Sequence, residues 1–482
     1  MSAANWLHSS FRPSSSIIDA TLSLYGNHDV AAIEEHSAPA VAIRSTTLEV
    51  RSVIDQALDA HEYHVIFVSG APGAGKTLVG LDLAMRGIHA GSAVFLTGNV
   101  PLVDVLHKAL RASYREQSRA KDVWVRTGYR RTDAAIVANA ATYKIVKAHS
   151  FLGRRGRPHR QEDGRVLIFD EAQRTYQSGR MVAGEKLADH EADLILKVQR
   201  DAHPTGGAVV VALVGHNQAI NRGERGLVAW LQAAERNEWG FSIADETLRV
   251  EDVGDVEYWA THQRRKTLHH GHLRQSMRYY RNSAVEEWVN AVLDDQYAEA
   301  SGIARQMEAK EDAVWIARDL AAAKQWARRR IVGTERAGLI ASGQARRLAA
   351  EGLFVDFKPD IATWMLAPTT DVRSSNSLEI IQNQYQVQGL ELDYTIACWD
   401  ADLRREGGGW KAYKMSGTEW RKDHLLAVAK NGYRVILTRA RKGMIIFVPR
   451  GDVTGADVTR TPSYYDAVAE YLSGCGAKHL PN

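Results

Sequence analysis

Two parallel α/β sheets in tandem are the fold class predicted here, and three observations predict it. A β-branched strand passes through a glycine-rich turn into a helix between residues 63 and 88. A second apolar strand ends in two carboxylates, Asp170 and Glu171. Strands alternate with helices again after residue 313, without a second glycine-rich turn.

Length and composition agree with that class. At ~150 residues per domain, 482 residues make about three domains or two large ones. Lys and Arg number 61 and Asp and Glu 57, a net charge of +4, which excludes a histone-like basic tail and an acidic solvating chain but leaves room for a local basic groove. With 45% apolar and 24% charged residues the chain is ordinary for a globular protein. Cys398 and Cys475, far apart, make neither a disulfide framework nor a four-ligand zinc site, and point to a reducing, cytoplasmic compartment. The strongest apolar runs, Val65–Val68, Ala208–Val214 and Met444–Val448, are far short of the ~20 residues that cross a bilayer, so each reads as a buried strand and no membrane partner is expected.

The first element is Tyr63 to Ser69 (YHVIFVS), a strand. It runs into Gly70-Ala71-Pro72-Gly73-Ala74-Gly75-Lys76-Thr77 and an apolar segment to Ile88, which reads as a helix. The turn has the spacing G-x-x-x-x-G-K-[ST]. Glycines let backbone N–H groups curl around a triphosphate, and the helix N-terminus adds partial positive charge. Lys76 is expected on the β- and γ-phosphates of ATP, and the Thr77 hydroxyl on Mg²⁺.

Arg165 to Phe169 is the next strand with a chemical ending. Asp170 at its carboxyl end suits a role holding Mg²⁺, and Glu171, one residue on, suits a general base for the attacking water. The strand Ala208–Val214 ends in Gly215-His216-Asn217-Gln218. Gln218 either senses the γ-phosphate or is simply a polar turn residue.

The second sheet is read from Ala313–Ala317 with a helix to Arg330 and from Gly338–Ser342 with a helical stretch to Glu351. A strand opened by Gln388-Gly389-Leu390-Glu391 runs through Trp399, and Tyr433 to Ala440 runs into Met444–Val448. A helical stretch at 284–310 precedes them. Basic residues gather in three places: Arg154 to Arg160, Arg264-Arg265-Lys266, and a stretch where Trp410, Tyr413 and Trp420 interleave with Lys411, Lys414, Arg421 and Lys422. Each is either a solvated basic loop or a nucleic-acid contact, the last being the most suggestive. His269, His270 and His272 have no carboxylate or cysteine to complete a metal set nearby. Gln56, in a helix read over 46–60, reads as a solvated residue rather than a base-reading one.

In this order the blocks resemble a superfamily 1 helicase. Gly70–Thr77 resembles its motif I, Leu96–Asn99 motif Ia, Asp170–Gln173 (DEAQ) motif II, Gly215–Gln218 motif III, Leu273–Arg278 motif IV, Gln388–Glu391 (QGLE) motif V and Val435–Ala440 motif VI. The likeness narrows to the schlafen-like (group 3) DNA/RNA helicase domain of bacterial proteins through TLVGLDLA, FLTGN, FDEAQR, ALVGHNQAINRGERGL, QGLELDY and LTRARKGM. The resemblance implies two RecA-like P-loop NTPase lobes with the ATP site in the cleft between them. It implies a helical lead-in over 1–35, a first lobe over about 36–262 and a second over about 263–482. Lys76, Thr77, Asp170 and Glu171 would then act on MgATP, Gln218 would couple the γ-phosphate to nucleic acid, and Arg278 and Arg439 would be arginine fingers. Gly389 and Glu391 would lie near the ribose or the nucleic acid. Single-stranded DNA or RNA is the implied partner, with a loose association with nucleases and defence genes. Departures from the pattern are His216 where motif III usually carries Asp, and Asn383 to Val387 where motif V often starts with Thr or His. An ATP-gated switch remains the alternative to a motor. A nucleotide kinase would share the phosphate loop without explaining Arg278 and Arg439.

Overall fold

The structure, a computed structural model, describes residues 38–70, 74–86, 93–97, 99–120, 145–147, 164–174, 178, 181–182, 185–186, 189–215, 226–274, 283–308, 313–357, 359–387 and 389–480. The chain divides into two compact units: residues 1–98 with 109–278, and residues 99–108 with 279–482.

The first unit is built on a parallel sheet. Its strands are β1 (Tyr63–Gly70), β2 (Ala93–Thr97), β3 (Ile145–Lys147), β4 (Val166–Asp170), β7 (Ala208–Gly215), β8 (Gly240–Ile243), β9 (Arg265–Thr267) and β10 (His272–Leu273), with a separate two-residue hairpin of β5 (Met181–Val182) and β6 (Glu185–Lys186). The order is β3-β2-β4-β7-β1-β8-β9, and β10 pairs with the last two residues of β1. Every residue of β2, β4 and β7 is buried, as parallel strands covered on both faces require. Alternation sends Val65, Phe67, Leu167, Phe169, Val210 and Ala212 into one core with Trp230 and Trp239. The opposite face carries Phe95, Ile168 and Leu213. There helix α2 (Lys76–Arg86) packs so closely that a Cβ added at Gly80 would lie within 2.9 Å of all three. Helix α1 (Ala38–Asp59) starts earlier than the helix read over 46–60.

The first sheet continues past the boundary read near residue 262. β9 pairs with β8, and β10 with β1, so these short polar strands finish the first sheet and the first unit runs to residue 278. Two or three residues carry too little alternation to announce a strand, and their pairing is decided by the strands beside them.

In the second unit a parallel sheet has the order β13-β12-β14-β18-β11-β19. Its strands are β11 (Trp315–Ala317), β12 (Ala337–Ala341), β13 (Ile381–Asn383), β14 (Leu392–Cys398), β18 (Ala440–Phe447) and β19 (Lys478–His479). Trp326, Leu339, Ile396, Cys398, Ile445 and Phe447 share its core. Between β14 and β18 the chain makes a three-stranded antiparallel sheet, β15 (Leu403–Glu406), β16 (Gly409–Ser416) and β17 (Glu419–Lys422), and then a helix at Leu426–Leu437, α12 in chain order after helices at Glu191–Ala202 (α4), Gly226–Arg236 (α5), Asp245–Val250 (α6), Val256–Ala260 (α7), Ser283–Leu293 (α8), Tyr297–Glu308 (α9), Leu320–Arg328 (α10) and Ile361–Leu366 (α11), α3 being Val100–Ala120. The stretch Tyr433 to Leu437 is therefore the end of a helix, burying Tyr433, Ile436 and Leu437 at helical spacing, and the strand begins at Ala440. Among the described residues no helix is long and apolar enough to cross a membrane.

One buried acid in this unit sets a pH dependence. The Asp402 carboxylate accepts from the Tyr433 hydroxyl at 2.7 Å. Burial first, then the neighbouring Asp400, pushes its pKa up to about 7. The folded chain thus holds this proton more tightly than the unfolded chain does. The stabilisation is complete below the unfolded pKa of ~3.9 and is lost as pH rises through about 7. Asp402→Asn cannot ionise, so its urea midpoint is expected to fall less than the wild type's between pH 5 and pH 8, the difference in stability being on the order of a few kcal/mol. Parallel pH profiles for the two proteins would contradict this.

Candidate functional site

Strand register gathers the chemistry of the first unit at one edge. Gly70 at the end of β1 lies opposite Gly215 at the end of β7, and Thr97 at the end of β2 lies opposite Asp170 at the end of β4. The carboxyl ends of parallel strands are where α/β sheets bind ligands. Gly70 takes φ +156° and has no room for a side chain, because a Cβ would sit 2.5 Å from the Leu273 carbonyl oxygen. Ala74 is buried, and Gly75, at φ +92°, occupies backbone space that L side chains avoid. Lys76 and Thr77 then open α2. The Lys76 Nζ donates to the Gly70 carbonyl at 2.7 Å, which holds the ammonium over the loop.

Asp170 is 4% exposed and takes hydrogen bonds from two threonines: Thr77 Oγ1 at 3.2 Å and Thr97 Oγ1 at 3.4 Å. Burial first, and the Glu171 charge second, raise its pKa to about 7 against the pull of Thr77 and Lys76. The next residue, Glu171, sits at φ +58°, a left-handed conformation that costs a non-glycine residue on the order of 1 kcal/mol or more. Its neighbours over-determine that turn. Gln173 donates from Nε2 to the Glu171 carboxylate at 2.6 Å and accepts from the Gly215 N–H at 2.7 Å. The indole of Trp230, fully buried and 5.4 Å from the Phe169 ring, donates to the Ala172 carbonyl at 2.8 Å. Glu171 is thus positioned by an amide that also grips the end of β7.

Thr97 and Gln173 carry roles that sequence reading missed, although both lie inside blocks it singled out. The signal for Thr97 was a polar residue closing the buried strand β2. For Gln173 it was an amide two residues beyond Glu171. The histidine run also finds a place. His272 Nδ1 lies 2.7 Å from Ser69 Oγ, which in turn meets Thr247 Oγ1 at 2.6 Å, so His272 ties β10 to the end of β1. Gln56 is exposed and donates to the Ser52 hydroxyl.

In the second unit, motifs V and VI come together. Gly389 turns at φ +71°, Glu391 is partly exposed just before β14, and the Leu392 N–H donates to the Arg439 carbonyl at 3.1 Å, with Leu392 opposite Ala440 across β14 and β18. Arg439 is 8% exposed, and its Nε donates to the Val435 carbonyl at 3.0 Å. Beside it, Arg441 pairs with Asp393 at 2.6 Å. Ala71, Pro72, Gly73, Gln218, Arg278 and the basic run Arg154 to Arg160 lie outside the described residues.

The aromatic–basic stretch between these motifs is an ordered sheet rather than a loop, and Trp410 is not available for stacking on bases. It is 2% exposed, stacks on Trp399 with centroids 5.3 Å apart, and donates to the Val292 carbonyl at 3.0 Å. A tryptophan between a glycine run and a lysine looks solvated in sequence, but strand alternation turns it to the opposite face from Lys411.

Among curated proteins none matches the chain. Two solved structures align over most of it at low similarity. One is a DEAD box protein from the hyperthermophile Methanococcus jannaschii, 11% identical, covering 92% of this chain and 97% of that one at a TM-score of 0.25. The other is the ATP-dependent Type ISP restriction-modification enzyme LlaBIII bound to DNA, 10% identical at a TM-score of 0.29, where 90% of this chain corresponds to 31% of that one. The family model for the schlafen group 3 DNA/RNA helicase domain matches residues 63–450, from the first residue of β1 to three residues past β18, and the chain belongs to that family.

Proposed function

We propose that this protein is an ATP-dependent nucleic-acid translocase or helicase of superfamily 1, which hydrolyses ATP to move along or remodel DNA or RNA. The observation that carries the reading is the meeting, at one sheet edge, of the Lys76 ammonium, the Thr77–Asp170 pair and a Glu171 carboxylate held in a strained turn.

The residues fit a magnesium-bound triphosphate. Thr77 and Asp170 are adjacent hard oxygen donors of the kind Mg²⁺ takes, and burial raises the Asp170 pKa, a cost to its charge that a bound cation would offset. Bound MgATP would supply the phosphoanhydride bond whose cleavage drives the cycle. Lys76 would then leave the Gly70 carbonyl for phosphate oxygens, and Glu171, aimed by Gln173, would orient water and take its proton. Arg439 comes from the family resemblance as the residue that stabilises charge on the transferring group, with Gln218 and Arg278 in accompanying roles, and Gly389 and Glu391 beside the nucleotide or strand.

A second reading is an ATP-gated switch that binds nucleic acid or a protein and signals to an effector, such as a nuclease, without unwinding. His216, where the motif III pattern carries Asp, favours it. A cytoplasmic defence role comes from the resemblance alone. ATP turnover with and without single-stranded DNA or RNA, followed by strand displacement, separates the readings. Stimulation with displacement supports the motor, and stimulation without it supports the switch. Phosphate transfer to a small acceptor would overturn both.

A further inference from the structure

The sheet β15–β17 carries charge that its own fold leaves uncompensated. Residues 403–422 hold six basic side chains against two acidic ones, an excess of four, as large as the net +4 of the entire chain. Arg404 and Arg405 are consumed internally. Arg404 is sandwiched between the rings of Tyr413 and Tyr464, 3.7 Å and 3.8 Å from their centroids, and Arg405 pairs with Asp295. Lys411, Lys414, Arg421 and Lys422 have no ion pair among the described residues, whereas Arg318, Lys324, Arg328, Arg346, Arg347 and Arg373 of the same unit each have one.

Register sharpens the point. Lys414 lies directly opposite Arg421 across β16 and β17, and both are exposed. Like charges directly opposite in an antiparallel pair are destabilising. The ribbon keeps its shape regardless, because it is pinned from below. Trp410 donates into α8 at the Val292 carbonyl, Trp420 donates to the Thr459 carbonyl at 2.7 Å, and the Tyr413 N–H donates to the Asp402 carbonyl at 2.8 Å. Two cations are therefore held side by side on a rigid ladder at a cost that an anionic partner would remove.

We propose that β16 and β17 form a contact surface for the sugar–phosphate backbone of a single-stranded nucleic acid, with Lys414 and Arg421 on phosphates and Lys422 beside them. This rests on the nucleic-acid reading given above. The exposed positions here are Lys414, Gly417, Thr418, Glu419, Arg421 and Lys422, with no apolar side chain to enter a lipid interface, which favours a backbone over an anionic membrane. Such contacts carry no base specificity, as a protein that tracks along a strand requires.

The test is the salt dependence of binding to a fluorescein-labelled oligothymidylate, read by anisotropy for wild type, Lys414→Ala/Arg421→Ala and a control, Arg329→Ala, which removes an exposed arginine at the end of α10. Each phosphate contact on a single strand contributes about 0.7 to the slope of log Kd against log salt. The double variant is expected to bind more weakly at low salt and to lose about 1.4 from that slope, with ATP turnover in the absence of nucleic acid unchanged. The control keeps the wild-type slope. Lys414→Gln/Arg421→Gln, which removes the charge but keeps a polar side chain with part of the stem, gives the same reading if the alanine pair fails to fold. An unchanged slope in a variant of a wild type that does bind would overturn the surface and leave the nucleic-acid reading standing. Failure of the wild type to bind any DNA or RNA strand would remove both. Loss of phosphatidylserine-vesicle binding in the variant, with oligonucleotide binding intact, would assign the patch to a membrane and overturn the proposal.

Discussion

Glu171→Gln is expected to lower ATP turnover by about 10²- to 10⁴-fold, the usual worth of a positioned general base, while nucleotide binding persists. The substitution removes a proton acceptor and keeps the shape. The Gln173 side chain, which donates to Glu171 at 2.6 Å and accepts from Gly215 at 2.7 Å, can still bond to the new amide oxygen. The left-handed turn at residue 171 and the Trp230 anchor behind it are untouched. Steady-state phosphate release gives the loss, and a fluorescent ATP analogue in titration gives the retained affinity. Normal turnover in Glu171→Gln would strip Glu171 of its role.

Arg439→Ala is expected to cut turnover by about 10³-fold or more, as removal of an arginine finger does, with nucleotide affinity near the wild-type value. Arg439 also holds its own helix end, through Nε to the Val435 carbonyl at 3.0 Å and Nη2 to Thr438 Oγ1 at 3.3 Å. Arg439→Lys is the companion, keeping the charge while losing the planar fork. If the role is chemical, both variants are slow, Arg439→Lys at an unfolding midpoint near the wild type's and Arg439→Ala by far more than the loss of its helix-end hydrogen bonds lowers the folded fraction. Unchanged turnover would remove the second unit from the reaction.

How legible each feature was follows from how local its cause is. The runs at 65–68 and 208–214 announce themselves because β1 and β7 are buried on both faces, so no polar residue interrupts them. The glycine loop is legible because Gly75 and Lys76 must stand where they do for a backbone to curl and a helix to start. Asp170 and Glu171 are legible as acids closing such a strand. The strained φ of Glu171 and the bridge from Gln173 to Gly215 are not, because they depend on β7 arriving beside β4 from some 40 residues away. β9, β10 and β13 are too short for a periodic signal, and the shortness of β9 and β10 is why the sequence places the end of the first lobe near 262. The sheet β15–β17 was hidden by its own charge. Four solvated cations break the apolar alternation that would otherwise mark strands, and Trp410 reads as a surface aromatic when it is core.

Phosphate release from MgATP by the purified chain, with and without single-stranded DNA or RNA and beside Lys76→Ala, is the most direct measurement. Turnover that rises when a single strand is added and vanishes in Lys76→Ala is the expected result. Phosphate release that persists undiminished in Lys76→Ala, or a wild type that releases none with any polynucleotide, would contradict the assignment of this sheet edge as the site of hydrolysis.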